Sequence, residues 1–348
     1  EGWRMSQINA AFLFAPTYPD RLVVPARLSD NVLKHAGAFR SKCRIPVLSY
    51  VHPDGTSITR SAQPFVGLQM KRSIQDEKLV KAIFQSHLRR GPRPSEAPPR
   101  GSRDLILDAR PQANALGQTA MGAGTENADL YECDLHFLGI ENIHVVRDTH
   151  LRVLDALHPC FCERREQRSA LIHGMIARTG WTKHIRTILE GARFMVSAIQ
   201  HQRHVLVHCS DGWDRTAQLC SLAALCADPF YRTTRGFMVL FEKEWASFGH
   251  KFRDRGGLLT KRPEVSHHTP LSLSGQQTTQ TAALALDYTP VDSKESAPII
   301  SQYLDCVYQL MVQYPTAFEF GPPLLAFLNT HAFSGMFDIA LANCEAER

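Results

Sequence analysis

The segment His208-Cys209-Ser210-Asp211-Gly212-Trp213-Asp214-Arg215-Thr216 constrains this chain more than any other. It follows the apolar run Val205-Leu206-Val207 and precedes a helical stretch, 216–227, that Asp228-Pro229 stops. The run reads as a buried strand, and the helix ends where the coming Pro disfavours helical backbone. A loop that leaves such a strand and opens a helix turns backbone N–H groups and the positive end of the helix dipole toward one point. A phosphate suits that point. A cysteine there is expected to be a thiolate, because helix amides and nearby cations can lower a thiol pKa to roughly 3.5–7.5. Arg215, six residues on, can curl back and offer its planar fork to two phosphate oxygens, which Lys could not match. Cys209 is therefore read as nucleophile and Arg215 as phosphate clamp. The bland reading of a free cysteine, a small buried hydrophobe, is kept for Cys43, Cys220, Cys226 and Cys306.

Helix, strand, loop and helix in that order imply an α/β domain with its site at the carboxyl edge of a sheet. Arg21–Pro25 and Arg44–Tyr50 read as further strands, with a helix over Ser29–Phe39 between them. Lys78–Leu88, Ile185–Ile199 and Gln302–Tyr314 carry helical stripes, whereas Asp104–Asp108 and Ile143–Val146 read as short buried strands. A Pro/Arg tract near 89–103 and a Ser/Thr/Gln/Pro-rich stretch over 258–297 read as two flexible inserts in one domain spanning 1–348. With 44% hydrophobic and 21% charged residues the composition is that of a folded globular protein. The net charge of +5 favours acidic substrates or an anionic membrane surface only weakly, and no nucleic-acid partner is expected. Nine cysteines, an odd number without regular spacing, fit reduced thiols in the cytosol. No stretch approaches the roughly 18 apolar residues of a membrane span, so any membrane contact is expected to be peripheral. His158-x-Cys160-x-Cys162 lacks a second ligand pair at zinc spacing, and neither metal nor cofactor is expected.

The loop resembles the signature of the myotubularin family of phosphoinositide phosphatases. The likeness extends through Pro16-Thr17-Tyr18-Pro19, Leu22-Val23-Val24-Pro25, Ile58-Thr59-Arg60, Asp108-Ala109-Arg110-Pro111, Asn142-Ile143-His144-Val145, Lys243-Glu244-Trp245, Ser247–Phe252 and Pro315–Phe320, in family order. The resemblance implies a cysteine-phosphatase fold of the protein tyrosine phosphatase kind, with a central twisted mixed sheet flanked by helices. It implies hydrolysis of the 3-phosphate of phosphatidylinositol 3-phosphate and 3,5-bisphosphate through a phosphocysteine. It also implies lipid head groups as partners at endosomal membranes, a cytoplasmic peripheral location, and homo- or hetero-oligomers with other myotubularin-like proteins. By the same resemblance Asp214 is the general acid, and Ser210, Asp211, Gly212 and Trp213 contact substrate. Asn142 and Ile143 line the inositol pocket, and Lys251 with Arg255, spaced i, i+4, grip a second phosphate. Asp108 is an outside candidate for the acid, against a structural pairing with Arg110. Thr216 is expected to hydrogen-bond the thiolate, and Trp213 either floors the ring, inserts toward lipid or packs in the core. Gln118 and Met121 stand where the family has Asn and often Lys, which bears on recognition of a 5-phosphate. Two other readings stay open: a protein tyrosine or dual-specificity phosphatase, and a non-catalytic lipid-binding scaffold, against which the intact loop argues.

Overall fold

The computed structural model describes residues 2–86, 103–162, 169–257, 260–261, 288–289 and 294–348. The described elements are β1 (Trp3–Ser6), β2 (Leu22–Pro25), α1 (Asp30–Gly37), β3 (Val47–Val51), β4 (Ser57–Ser61), α2 (Ile74–Phe84), β5 (Leu105–Asp108), α3 (Gln112–Ala120), β6 (Asp134–Phe137) and α4 (Ile143–Cys162). After them come α5 (Ser169–Thr179), α6 (Trp181–Gln200), β7 (Val205–His208), α7 (Arg215–Ala227), α8 (Thr234–Phe241), α9 (Phe252–Gly256), α10 (Ile299–Gln313), α11 (Pro322–Ala332) and α12 (Asp338–Leu341). Asp228 ends α7, and its side chain accepts the Phe230 N–H to start the next turn.

The central sheet has five strands in the order β3-β4-β7-β5-β6, and only the β3–β4 pair is antiparallel. Strand β7 lies between two parallel neighbours, which explains why its sequence is a continuous apolar run rather than an alternating one. Successive side chains leave opposite faces. Leu105, Leu107, Val205 and Val207 pack with α6, α7 and α10, whereas Ile106 and Leu206 meet Val80 of α2. Helices therefore cover both faces of a mixed sheet. The Ala/Leu composition of α7 suits a helix whose residues 216–225 are all buried, and each of Leu219, Leu222 and Leu225 contributes about 1.5–3 kcal/mol by leaving water. Ser61 of β4 and Asp108 of β5 are both in register with His208 of β7, so three strands finish at one level. Their carboxyl ends form the crevice in which open α/β sheets bind ligands.

Ile143–Val146 is the first turn of α4 and not a strand. Asn142 Oδ1 accepts the N–H groups of His144 and Val145, capping the helix, and Ile143, Val146 and Val153 face the core at helical spacing. Three β-branched residues, Ile143, Val145 and Val146, mimicked a strand that this cap overrides. The expected first insert lies outside the described residues except Arg103, and most of the second does too; within the latter, Thr260–Lys261 pairs antiparallel with Tyr288–Thr289. At its end, Ala297 is buried and donates its N–H to the Arg255 carbonyl at 3.0 Å.

Strand β4 carries Arg60 into the interior, where its side chain meets Glu244 at 2.7 Å with both side chains fully buried. Ser49 Oγ and Lys243 Nζ also lie against the Glu244 carboxylate, at 2.8 and 3.1 Å. Glu244→Gln leaves Arg60 buried without a counter-charge and is expected to cost about 3–5 kcal/mol. Urea unfolding checks this: the midpoint falls at unchanged slope, and a loss below about 1 kcal/mol contradicts the assignment.

Candidate active site

The backbone of the 209–214 loop is held by its carbonyl groups. The Cys209 oxygen faces His208 Nδ1 at 3.1 Å, and the Ser210 oxygen accepts the Gln63 N–H at 3.0 Å. The Gly212 oxygen accepts from both Arg44 Nη2 (3.1 Å) and Arg60 Nη2 (2.7 Å). The Trp213 oxygen faces His250 Nδ1 at 3.1 Å, and the Asp214 oxygen takes the Gln218 N–H of α7 at 3.1 Å. In a trans peptide the N–H points opposite to the preceding carbonyl, and the described residues include no cis bonds. Pulling these carbonyls into the body therefore turns the N–H groups of Ser210, Asp211, Trp213, Asp214 and Arg215 the other way, and none donates to a protein atom among the described residues. The result is an anion cradle at a helix N-terminus. Gly212 makes it feasible: its φ is +80°, and a Cβ there would lie 2.4 Å from the Ser61 oxygen.

Cys209 Sγ sits in this cradle, accepting the Gly212 N–H and the Thr216 hydroxyl at 3.2 Å each. Burial alone pushes its thiol up, but Arg215, the Thr216 hydroxyl and the Gly212 N–H together bring it below the ordinary value. Thr216 thus makes the expected hydrogen bond to the Cys209 sulfur. Arg215 folds back over the loop, with Nη1 3.3 Å from the Ile140 oxygen and Nη2 3.4 Å from Ser210 Oγ. No carboxylate lies within 4.0 Å of it among the described residues, which leaves the fork able to take an anion.

Other residues expected at the site are more heavily engaged. Asp214 lies 2.9 Å from Arg255 Nη2 and 3.1 Å from His250 Nδ1. Burial would raise its carboxyl, but Arg255 and His250 outweigh that and hold it far below the usual carboxylate range. Arg255 also meets Glu295 at 2.8 Å, and Lys251 meets Asp254 at 3.0 Å. The expected i, i+4 relation of Lys251 and Arg255 is present, the Arg255 N–H donating to the Lys251 carbonyl at 2.8 Å. Asp211 accepts the Ser41 hydroxyl at 2.9 Å. Asn142 and Ile143 open α4, two and three residues after the Ile140 carbonyl that Arg215 touches. The Trp213 ring is 5% exposed and has Lys251 and Lys42 Nζ at 5.0 and 5.5 Å, so it is packed rather than presented to lipid. Asp108 is fully buried and bound by the Arg110 guanidinium at 2.7 Å, the structural alternative to an acid. Gln118 closes toward Met121, which is 79% exposed on the loop after α3. The cysteine side chains of His158-x-Cys160-x-Cys162 lie outside the described residues.

Residues 1–348 match the family model described as the myotubularin-like phosphatase domain. The chain belongs to the myotubularin-like phosphatase family. It is 37% identical to a phosphoinositide 3-phosphatase of Saccharomyces cerevisiae over 404 residues, 99% of this chain and 57% of that protein. It is 39% identical to the phosphatidylinositol-3,5-bisphosphate 3-phosphatase MTMR2 of Mus musculus over 351 residues, 100% of this chain and 48% of that one. It is 37% identical to the human phosphatidylinositol-3-phosphate phosphatase MTMR7 over 349 residues, covering 99% and 46% of the two chains. The chain spans about half the length of the curated relatives it matches.

Several residues that shape this myotubularin-like site carried no local signal. Arg44 read as a strand residue and Arg60 only as part of a family-like segment, and Gln63, Glu126 and His250 belong to no motif around the loop. Their partners lie far off in sequence, 168 residues for Arg44 and 152 for Arg60. The segments that resembled the family give the only hint, since Pro16–Pro19, Asp108–Pro111 and Ser247–Phe252 all converge behind the loop; Arg44 Nη1, for example, donates to the Thr17 oxygen at 2.7 Å. Removing one thiolate donor tests the electrostatics. Thr216→Val is expected to raise the Cys209 pKa by about one unit, so that the pH midpoint of iodoacetamide alkylation at Cys209 moves upward. An unmoved or lowered midpoint contradicts the role given to Thr216.

Proposed function

We propose that this myotubularin-like domain hydrolyses the 3-phosphate of phosphatidylinositol 3-phosphate, and also of the 3,5-bisphosphate, through a phosphocysteine on Cys209. The observation that carries this reading is the cradle: five unengaged loop N–H groups and the uncommitted Arg215 fork around a stabilised thiolate. These donors stand where three equatorial phosphoryl oxygens gather charge in the transition state. The Cys209 thiolate attacks phosphorus, the bond from phosphorus to the inositol oxygen breaks, and that oxygen takes a proton from an acid. Water then attacks phosphorus, the P–S bond breaks, and inorganic phosphate leaves with the thiolate restored. The substrates in the names of MTMR2 and MTMR7 support the 3-phosphate, and the loop between central strand and helix supports a protein tyrosine phosphatase-like fold.

Asp214 serves as the acid in this reading. As the side chains stand it is ionised against Arg255 and His250, so it takes up a proton only when Arg255 swings toward substrate. A second phosphate on the ring is the anion that competes for Arg255 and Lys251. The same reading places the domain peripherally on the cytoplasmic face of endosomal membranes and in assemblies with itself or other family members. No described helix is long and apolar enough to cross a membrane.

Phosphate release from short-chain phosphoinositides and a phosphotyrosine peptide, with a chelator present, tests the substrate. Turnover of the two 3-phosphorylated lipids, little of the peptide, and background rates for Cys209→Ser are expected; the reverse order of lipid and peptide makes the domain a protein phosphatase. Asp214→Asn is expected to lower lipid turnover roughly 10²–10⁴-fold but to cost less than about tenfold on p-nitrophenyl phosphate, whose leaving group needs no proton. Equal losses on both substrates, or a larger selective loss in Asp211→Asn, move the acid away from Asp214.

A further inference from the structure

Behind Cys209 lies a buried chain of charges that the proposed chemistry does not use directly. His208, the last residue of β7, is fully buried, and its two ring nitrogens face different acceptors. Nδ1 lies 3.1 Å from the Cys209 carbonyl oxygen, and Nε2 lies 2.8 Å from Glu126 Oε2. A carbonyl can only accept, and so can an ionised carboxylate. Both ring nitrogens must therefore carry protons, and His208 is an imidazolium. Glu126 is kept ionised from its other side, where Arg40 Nη1 touches Oε1 at 2.5 Å. Arg40 in turn binds Asp76 through Nε and Nη2 at 2.8 and 2.6 Å, and the Tyr131 hydroxyl donates to Asp76 at 2.7 Å. The side chains of His208, Glu126, Arg40 and Asp76 are all fully shielded.

We propose that Glu126 is a positioning residue for the nucleophile: by holding His208 as a two-donor imidazolium, it fixes the Cys209 carbonyl away from the cradle and so aims the Ser210 N–H at the phosphate. A neutral His208 could keep one of its two bonds but not both. If its single proton stayed on Nε2 toward Glu126, a bare Nδ1 lone pair would face the Cys209 oxygen, and the peptide between Cys209 and Ser210 would be pushed to rotate. The other charged groups facing His208 are Asp108, which supports the cation, and Arg110, which opposes it. Both belong to one ion pair on the adjoining strand end, so Glu126 is the carboxylate whose charge is directed at the ring. The imidazolium also places a positive charge one residue from the thiolate.

The inference rests on Cys209 as nucleophile and not on the lipid substrate, so it is tested without lipid. In Glu126→Gln the shape is kept and the charge removed. The pH midpoint for iodoacetamide alkylation of Cys209 is expected to rise by about half to one unit, and turnover of p-nitrophenyl phosphate to fall roughly tenfold to a hundredfold through kcat, with KM little changed. Asp76→Asn disturbs the same buried cluster without touching His208. It is expected to lower thermal stability but leave the alkylation midpoint in place. In a His208→Asn background, where the side-chain amide donates to the Cys209 carbonyl whatever the charge at position 126, Glu126→Gln is expected to add no further shift. A wild-type midpoint in folded Glu126→Gln overturns the proposal, as does an equal shift in Asp76→Asn or a full additional shift on His208→Asn. Should Glu126→Gln fail to fold, Glu126→Asp reports instead: it keeps the charge but draws it back, and an unmoved midpoint there also overturns the proposal.

Discussion

The side chains of Arg44 and Arg60 leave the region of one antiparallel hairpin and meet on a single carbonyl oxygen, that of Gly212. Two guanidinium groups on one oxygen repel each other, and burial makes this worse, so the arrangement needs compensation. Glu244 supplies it for Arg60 through a fully buried ion pair. Among the described residues no carboxylate is in contact with Arg44; burial pulls its pKa down to about 10, which still leaves it charged at neutral pH. Aromatic faces take the remaining load, with the Arg44 carbon 4.1 Å from the Tyr18 ring centre and the Arg60 carbon 4.4 Å from that of Phe248. Tyr18 and Phe248 themselves meet edge to face at 5.5 Å. The Gly212 carbonyl is thus fixed by groups from three distant parts of the chain, and the direction of the Trp213 N–H follows from it.

On the other side of the loop the cations differ in how firmly they are already bound. Arg255 is tied to Asp214 and Glu295, Lys251 to Asp254, and Arg215 to neutral oxygens alone. An incoming dianion therefore meets Arg215 first at the lowest cost, since no ion pair has to break. Engaging Arg255 is different, because the Asp214 carboxyl is held low by that same guanidinium. Any anion that draws Arg255 away must raise the pKa of Asp214 by the matching free energy, and a protonated Asp214 must in turn release Arg255 more readily. In the proposed reading, recognition of a second phosphate and the readiness of the acid are linked through one side chain.

The parts of this architecture that were legible in the sequence were those with local causes. Strand β7, the loop and α7 were readable because apolar runs, a helix former-rich segment and a Pro stop lie side by side, and Cys209, Arg215 and Thr216 occupy the geometry that this order implies. Strand β4 was not read as a strand: Ser57-Ile58-Thr59-Arg60-Ser61 has one large apolar residue, yet all five positions are buried because their polar groups find partners in the interior. The turn at Ile143 was misread because β-branched residues favour strands until a cap such as Asn142 overrides them. Glu126 was invisible for a different reason. A carboxylate in a Gly-bearing loop has every appearance of a solvated one, and only the approach of His208 and Arg40 from 82 and 86 residues away makes it interior.

The buried charge chain also ties loop geometry to pH. Folding lowers the Glu126 carboxyl from its ordinary 4.5, so the stability it contributes is fully present above that value and is lost as pH falls through the folded one. Folding raises His208 from 6.5, so its contribution is full below 6.5 and is lost as pH rises through the folded value. Between these limits both partners carry charge and the Cys209 carbonyl is held. Burial opposes each charge separately, and the pair together with Arg40 and Asp108 reverses that penalty. The orientation of the peptide that follows Cys209 is therefore not a property of the loop sequence. It depends on four ionised side chains that must be buried in register, which couples the aim of the Ser210 N–H to the folding of β7, α2 and the loop that joins α3 to β6.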